Sequence, residues 1–290
     1  MLLLDEILKA TGGKVISQGP SSFRSLSIDS RTIEEGEIFL CIKGQRFDGH
    51  EFLEDALKKG GGAIISSRFK VQGSKFNSRT IIAVPDTLRA LHQIATYMRK
   101  RYIKTITGIT GSNGKTTTKE MLYSILSMVS GVKVIKNEGN LNNEIGLPFS
   151  IINSVARYGD VHHGVLEMGA SRPGDIRVLS EISLPDYGLI TSIGHAHLEG
   201  MGGIEGVFRT KTEIVPFVKV LFINGDDEYL LRLKDQKTSI SYDIITFGLK
   251  EGLSVRAEEI LLKETSSKYR LIASMKNQMS EDIDTGMDIE

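Results

Sequence analysis

Hydrophobic positions in the first hundred residues follow two different spacings. Apolar residues at helical spacing predict helices over 2–10, 50–60 and 86–102, whereas short β-branched runs predict strands over 37–43, 62–67 and 80–85. Asp86 precedes the longest of these helices and is predicted to cap its N-terminus. We therefore predict a compact α/β domain over residues 1–84 and a connector helix within 85–102.

From residue 103 onward the pattern becomes strand, then helix, repeatedly. A helix is predicted after residue 114, where Met121, Leu122, Ile125, Leu126 and Val129 recur at helical spacing. Such alternation implies a mostly parallel sheet with helices on both faces, so the fold class is α/β and the central domain spans residues 103–273. The predicted strands are 102–110, 132–136, 163–169, 187–194 and 219–225, with strand-like segments at 243–248 and 255–262.

Composition narrows the class of protein. The chain has 290 residues, of which 40% are hydrophobic and 25% charged, as in an ordinary globular protein of about two domains. The formal net charge of zero provides no electrostatic footprint for nucleic acid or an anionic membrane. The single cysteine, Cys41, excludes an intramolecular disulfide. Neither a signal peptide nor a membrane-spanning run is evident, so we expect a cytoplasmic monomer. The polar, acidic segment 274–290 is predicted to be disordered.

The segment "GITGSNGKTTTKE" (108–120) has the composition of a phosphate-binding loop between a strand and a helix. Such a turn directs backbone N–H groups and the positive end of a helix toward an anion. The lysine is expected to reach phosphates, and the following threonine to bind Mg²⁺. The usual spacing would place a glycine at position 109, which is Ile109, so the motif is an off-register variant. The alternative is a glycine-rich turn with a solvated lysine. The candidate residues of the loop are Gly111, Ser112, Asn113, Gly114, Lys115, Thr116 and Thr117.

Further polar residues follow the predicted strands, where open α/β sheets bind their ligands. Glu167 is a candidate Mg²⁺ ligand or a surface carboxylate, and His195 and His197 are candidate metal ligands or hydrogen-bonded loop residues. Lys211 by default lies on a solvated helix face. The asparagine-rich loop 137–148 suits a polar substrate. "FINGDD", with Asn224, is suited equally to adenine or ribose recognition and to a simple turn.

Taken together, these segments resemble the Mur ligases, which form amide bonds with ATP in peptidoglycan synthesis. The resemblance extends over about residues 1–272 and rests on the order and spacing of eight segments. Within the family, "TTTKE", "NLNNEIGLP" and "EMGAS" favour the branch that joins UDP-N-acetylmuramoyl-tripeptide to D-alanyl-D-alanine over the branch that adds diaminopimelate or lysine. The eight segments are "DSR", "KGQRFDGHEF", "TGSNGKTTTKE", "GNLNNEIGLP", "LEMGASRPGDI", "AHLEGMGG", "KTEI" and "INGDD".

The resemblance also implies roles for particular residues. Lys115 would hold the phosphates of ATP, and Thr116 and Glu167 would bind Mg²⁺. His197 would help to bind a second Mg²⁺, and Lys211 corresponds to a lysine that is often carbamoylated in the family. The residues implied in binding the rest of the ligands are Ser30, Arg31, Lys43 and His50 for the uridine diphosphate, Asn142 and Asn143 for the muramoyl-peptide, and Asn224 for adenine.

The resemblance implies an ATP-dependent ligase that works through an acyl phosphate. Family members continue into a third domain that binds the incoming amino compound, and the chain ends before it, so we expect these residues alone to ligate weakly or not at all. Two alternatives remain open: a non-catalytic protein that binds nucleotide and UDP-sugar, and another ligase of the superfamily, such as a folylpolyglutamate or cyanophycin-type enzyme.

Overall fold

The computed structural model describes residues 1–44, 47–70, 76, 78–194, 198–235, 242–262, 267–273 and 287–289. Two compact units make up the chain. The first comprises Met1–Ile106, Tyr123–Leu166 and Glu181–Leu184, and the second comprises Thr107–Leu122, Glu167–Ser180 and Pro185–Glu290. The domain boundaries predicted at residues 84 and 102 remain predictions.

Helices and strands alternate along most of the described chain. The strands are β1 (Leu2–Leu3), β2 (Lys14–Ser17), β3 (Ser22–Phe23), β4 (Leu26–Ser27), β5 (Ile38–Leu40), β6 (Gly62–Ser66), β7 (Thr80–Val84), β8 (Ile103–Thr110), β9 (Val134–Lys136), β10 (Val161–Glu167), β11 (Tyr187–Ile190), β12 (Val220–Asn224), β13 (Asp243–Gly248), β14 (Val255–Leu262), β15 (Ser267–Ala273) and β16 (Met287–Ile289). The α-helices are α1 (Leu4–Thr11), α2 (Leu53–Lys59), α3 (Thr87–Tyr102), α4 (Lys115–Ser127), α5 (Gly146–Tyr158), α6 (Asp175–Ser183), α7 (Leu198–Met201), α8 (Ile204–Lys211) and α9 (Glu228–Leu231). Short 3-10 helices span Gly49–Phe52, Thr212–Phe217 and Arg232–Lys234.

The first unit contains a five-stranded sheet of order β2-β7-β6-β5-β4, in which only the β2–β7 pair is antiparallel. Its apolar side chains pack against α2 because the strands are β-branched and the helix presents Leu53, Ala56 and Leu57. Cys41 lies buried in this cluster, and burial raises the pKa of its thiol well above the ordinary value. This cysteine therefore acts as a small hydrophobic residue.

Helix α3 forms as predicted, with the Asp86 side chain accepting a hydrogen bond of 2.8 Å from the N–H of Arg89. Farther along the first unit, β9 and β10 pair in parallel, with His163 opposite Val134. Helix α5 lies between them in the chain. This strand–helix–strand order is the repeat that the hydrophobic pattern predicts.

The second unit contains the strands that position the candidate site. Its order is β16-β15-β14-β13-β12-β11-β8; the strands from β8 to β14 run parallel, and β15 and β16 are antiparallel additions. The predicted fold class is confirmed: a small N-terminal α/β sheet is followed by a mostly parallel sheet flanked by helices. In the described part of the chain, the helices are too short or too polar to cross a membrane.

Two local predictions differ from the structure. Helix α4 ends at Ser127, before Val129, and Met121 and Ile125 are exposed on it, so the helical spacing indicates the element but not its burial. Most of the predicted tail, 274–290, lies outside the described residues, but Met287–Ile289 form β16 by pairing with β15. The ladder to β15 provides hydrogen-bond partners that the local composition does not reveal.

Candidate active site

The glycine-rich loop connects β8 to α4 through backbone conformations that require glycine. Gly114 has a φ of 79°, in the left-handed region, and Gly111 has a φ of 139°. A Cβ atom at Gly111 would lie 2.0 Å from Thr191 Oγ1. Helix α4 then begins at Lys115, so the N–H groups of its first turn face out of the helix end, where an anion is favoured.

Residues 191–194, which follow β11, hold the loop in place. Thr191 Oγ1 donates to the carbonyl of Asn113 at 2.5 Å, and the Ser112 N–H donates to the carbonyl of Ser192 at 2.9 Å. The Gly194 N–H donates to Ser112 Oγ at 2.8 Å. These contacts fix the shape of the loop before any ligand binds. Thr191 and Ser192 are functional supports that sequence reasoning missed, although the strand-end position of "TSIG" marks the segment.

The Lys115 side chain folds back over the loop. Its Nζ donates to the carbonyl oxygens of Gly111 at 2.8 Å and Ser112 at 3.1 Å. Burial lowers the pKa of Lys115, and the charge of Glu167 partly offsets that shift. The ammonium group is thus held beside the helix start, where phosphate oxygens can replace the carbonyl acceptors.

Glu167 is the last residue of β10, and its side chain contacts Thr116, the second residue of α4. Thr116 Oγ1 donates to Glu167 Oε2 at 2.8 Å, and the Glu167 side chain is only 4% exposed. The two side chains implied as Mg²⁺ ligands are therefore hydrogen-bonded to each other within the second unit, and their binding of Mg²⁺ stays a prediction. A buried carboxylate beside a hydroxyl is unusual unless cations or donors compensate it.

The oxygen donors of this pair fit Mg²⁺. Magnesium in nucleotide sites is typically held by one or two carboxylate or hydroxyl oxygens together with substrate phosphates, rather than by a full protein cage. Accordingly, the described residues contain no group of three or more His, Cys, Asp or Glu side chains arranged as metal ligands. His197, proposed for a second Mg²⁺, lies outside the described residues, as does His195.

Lys211, the last residue of α8, is buried rather than solvated. It is 3% exposed, and its pKa is lowered to about 8, first because burial disfavours the ammonium and second because the charge of Lys115 repels it. Asp175 and Glu213 act in the opposite direction. The default interpretation of Lys211 as a solvated surface lysine is therefore wrong. Its side chain is buried and interacts electrostatically with Lys115 and Asp175.

Glu213 anchors the N-terminal end of α6. Its two carboxylate oxygens accept from the N–H of Gly174 at 2.8 Å and the N–H of Arg177 at 3.0 Å. Because Glu213 follows Lys211 by two residues, these bonds tie the end of α8 to the loop after Glu167. Glu213 lies in the "KTEI" segment, but no local sequence pattern indicates this anchoring role.

The "INGDD" segment makes a turn. Asn224 Oδ1 accepts from the Asp226 N–H at 2.9 Å, and Asp227 Oδ1 accepts from Tyr229 and Leu230 at the start of α9. Asp227 Oδ2 also accepts from the Ile193 N–H at 2.7 Å, which links this turn to the segment that supports the glycine-rich loop. Of the two interpretations left open, the structure realises the turn, and adenine binding by Asn224 remains a proposal.

In the first unit, Arg31 is presented at the surface by the turn after β4. Its guanidinium forms a two-pronged pair with Asp29, with Nη2 2.6 Å from Oδ2 and Nε 2.9 Å from Oδ1. This pair lowers the pKa of Asp29 to about 2. The Arg31 side chain is 86% exposed and remains accessible to an anion. Ser30 lies between the two paired residues.

His50 has both ring nitrogens occupied within the first unit. Nε2 accepts from the Ser66 N–H at 2.9 Å, so Nδ1 is the nitrogen that carries the proton and donates to Asp48 Oδ1 at 2.6 Å. Lys43, by contrast, is exposed and lies opposite Asp48 in an antiparallel bridge. Through Asp48, His50 therefore supports the antiparallel bridge between Lys43 and Asp48.

Asn142 and Asn143 occupy the turn before α5, also in the first unit. Asn143 Oδ1 accepts from the N–H groups of Ile145 and Gly146 at 3.1 and 2.8 Å. This bond pattern is that of a helix-start cap. The Asn142 N–H donates to the Asn140 carbonyl at 2.8 Å. The asparagine density of the loop thus has a structural component, and binding of a substrate by these two residues stays a proposal.

The fold and the loop define an α/β protein in which a buried lysine and a buried carboxylate accompany a glycine-rich strand-to-helix loop. Comparison with known families makes the class specific: the Mur ligase middle domain matches residues 109–287, and the Mur ligase family catalytic domain matches residues 22–99. The chain belongs to the Mur ligase family.

Individual relatives agree with the family match. A UDP-N-acetylmuramoyl-tripeptide–D-alanyl-D-alanine ligase of Bacillus subtilis is 39% identical over 208 residues, covering 71% of this chain and 44% of the relative. A crystal structure of MurF from Acinetobacter baumannii superposes with a TM-score of 0.81 at 32% identity, covering 93% of this chain and 58% of that one. MurF from Thermotoga maritima in complex with ADP gives 0.74 at 35% identity, covering 86% and 56%. The chain spans about half the length of these relatives.

Proposed function

We propose that this chain provides the nucleotide and UDP-sugar sites of a ligase that joins UDP-N-acetylmuramoyl-tripeptide to D-alanyl-D-alanine with hydrolysis of ATP to ADP and phosphate. The observation that supports it most directly is the cluster of Lys115, Thr116, Glu167 and Lys211 around a preformed phosphate loop. The names of the relatives support the choice of substrates, and the ADP-bound relative supports ATP as the nucleotide.

The proposed reaction has two steps. An oxygen of the tripeptide carboxylate attacks the γ-phosphorus of ATP. The bond between the γ-phosphorus and the oxygen that bridges it to the β-phosphorus breaks, and the products are ADP and an acyl phosphate. The amine nitrogen of D-alanyl-D-alanine then attacks the acyl carbon, phosphate departs, and the nitrogen loses a proton. Lys115 and the N-terminus of α4 oppose the negative charge of the phosphoryl group in the first step. Mg²⁺, held by Thr116 and Glu167, would supply further charge neutralisation.

Lys211 has the chemistry that carbamoylation requires. A neutral amine adds to CO₂, forms the N–C bond and releases a proton, so the reaction depends on the unprotonated fraction of lysine. With a pKa of about 8, roughly half of the Lys211 side chains are neutral at that pH, against about 0.3% for an ordinary lysine. The product replaces a cation next to Lys115 with an anion, which relieves the repulsion between the two lysines.

Trapping of the acyl phosphate tests the proposal. Hydroxylamine converts an acyl phosphate into a stable hydroxamate, so the chain, incubated with ATP, Mg²⁺, UDP-N-acetylmuramoyl-tripeptide and hydroxylamine, should form hydroxamate and ADP in equal amounts. Omission of either substrate should abolish both products. Binding of both substrates by calorimetry without any hydroxamate would overturn the proposal in favour of a non-catalytic binding protein.

A further inference from the structure

Lys119 is a second lysine of α4 that the proposed reaction does not use. It is 0% exposed, and its Nζ lies 3.2 Å from Glu120 Oε1 and 4.0 Å from Glu167 Oε2. A buried ammonium is costly unless carboxylates compensate it. Because the residue is fully buried, it offers no exposed surface to a phosphate.

Helix geometry explains why Lys119 meets the same carboxylate as Thr116. The two residues are three positions apart on α4 and therefore lie on one face of the helix. Thr116 Oγ1 and Lys119 Nζ both approach Glu167 Oε2, at 2.8 and 4.0 Å. Thus the oxygen proposed to bind Mg²⁺ already has a cation beside it, inside the protein.

We propose that Lys119 is a positioning residue that acts as an internal counter-cation for Glu167 and weakens the affinity of this carboxylate for a divalent cation in the absence of nucleotide. The inference rests on the proposed function, because Glu167 is the assigned metal ligand. The lysine keeps Glu167 compensated while the site is empty and repels an incoming cation. The negative charge of the ATP phosphates outweighs this repulsion, so the metal binds together with the nucleotide.

The inference is tested on the full chain by titration with Mn²⁺ in the absence of nucleotide. Electron paramagnetic resonance measures the amount of bound Mn²⁺. Lys119→Met removes the charge and keeps the side-chain length, and we expect it to bind Mn²⁺ about tenfold more tightly than the wild type. Lys119→Arg keeps the charge and should bind Mn²⁺ like the wild type. The comparison variant Glu120→Gln removes a carboxylate 3.2 Å from Lys119 Nζ but keeps the lysine charge, so it should not tighten Mn²⁺ binding. Equal or weaker Mn²⁺ binding by folded Lys119→Met overturns the inference.

Glu167→Gln separates failure of this inference from failure of the assigned metal site. It should weaken Mn²⁺ binding relative to the wild type, and it should remove the gain caused by Lys119→Met when the two substitutions are combined. If Glu167→Gln binds Mn²⁺ normally, the metal site itself is wrong; if it loses binding but Lys119→Met gains none, only the role of Lys119 is wrong. Should Lys119→Met not fold, Lys119→Gln, which retains hydrogen-bond donors, takes its place in the same titration with the same expected gain.

Melting temperatures provide a second measurement. Without metal, Lys119→Met removes one of the positive charges near Glu167 and should melt below the wild type. Added Mn²⁺ supplies the missing charge, so it should raise the melting temperature of Lys119→Met more than that of the wild type. An equal rise in both proteins would contradict the role of Lys119 as a counter-cation.

Discussion

Lys115 and Lys211 repel each other within the second unit. After burial, the charge of Lys115 is the largest cause that lowers the pKa of Lys211 to about 8. Two lysines from α4 and α8 therefore share one site, although their positions in the sequence are far apart. These surroundings shift Lys211 toward the neutral amine, and the shift has consequences both for its reactivity and for the stability of the protein.

The pH dependence of unfolding tests the shifted pKa of Lys211. Between about pH 8 and the unfolded value of 10.5, the unfolded chain binds more protons than the folded chain at this position, so stability rises with pH. Relative to Lys211→Met, the wild type should gain about 2 kcal/mol from about pH 7.5 to about pH 10. The measurement is urea unfolding in CO₂-free buffer. Parallel pH dependences for the two proteins would contradict the shift.

Carbamoylation of Lys211 makes a separate prediction. In the hydroxamate assay, Lys211→Glu should retain more activity than Lys211→Ala, because glutamate supplies negative oxygen atoms close to where a carbamate would place them. Added bicarbonate should stimulate the wild type but neither variant. Equal loss in both variants, with no response of the wild type to bicarbonate, would argue against a carbamate.

The sequence predicts the elements of this fold better than it predicts what surrounds each side chain. The phosphate loop is local, since its glycines, its lysine and the helix after it are adjacent in the chain, and all appear where expected. Lys211 is buried near Lys115 and Asp175, which are distant in the sequence, and no local pattern records that proximity. The spacing of Met121 and Ile125 likewise predicts a helix but not that they are exposed.

Supporting residues were missed for the same physical reason. Thr191 has an ordinary turn-forming identity, and its importance arises from Asn113, 78 positions away. The "FINGDD" segment predicts a turn at Asp227 but not the bond of Asp227 to Ile193, 34 positions away. His50 shows the converse. The family resemblance implies that His50 binds substrate. In the structure, both ring nitrogens of His50 form hydrogen bonds within the protein, to Asp48 and Ser66.

Asn153 of α5 is predicted to stabilise the first unit by pairing with the edge strand β4. Its Oδ1 accepts from the Leu26 N–H at 2.8 Å and its Nδ2 donates to the Leu26 carbonyl at 2.9 Å, as a neighbouring strand would. Asn153→Ala should therefore lower the free energy of unfolding by about 1–3 kcal/mol. The neighbouring control, Ser154→Ala, should change it by no more than about 0.5 kcal/mol. Equal effects in urea unfolding would remove this role from Asn153.

Lys115→Ala should weaken binding of Mg²⁺·ATP by about 100-fold or more, because it removes charge-assisted contacts to phosphate. Isothermal calorimetry measures the affinity, and circular dichroism checks that the fold is intact. Lys104→Ala, at an exposed position of β8, serves as the control and should bind ATP like the wild type. Unchanged ATP affinity in folded Lys115→Ala would refute the phosphate-loop assignment.

Substitutions at Arg31 and at its partner Asp29 test the proposed UDP-sugar site most directly. A diphosphate that binds Arg31 must compete with Asp29, which already holds the guanidinium through two nitrogens. Charge-assisted contacts contribute about 1.5–3 kcal/mol each, so Arg31→Ala should weaken binding of UDP-N-acetylmuramoyl-tripeptide at least about tenfold. Asp29→Asn removes the competing charge and should tighten binding instead.

Arg24, which pairs with Glu34 on the same unit, provides the matched control, and Arg24→Ala should leave the affinity unchanged. Calorimetry without ATP measures all four proteins; the same affinity in Arg31→Ala and the wild type would show that the diphosphate binds elsewhere.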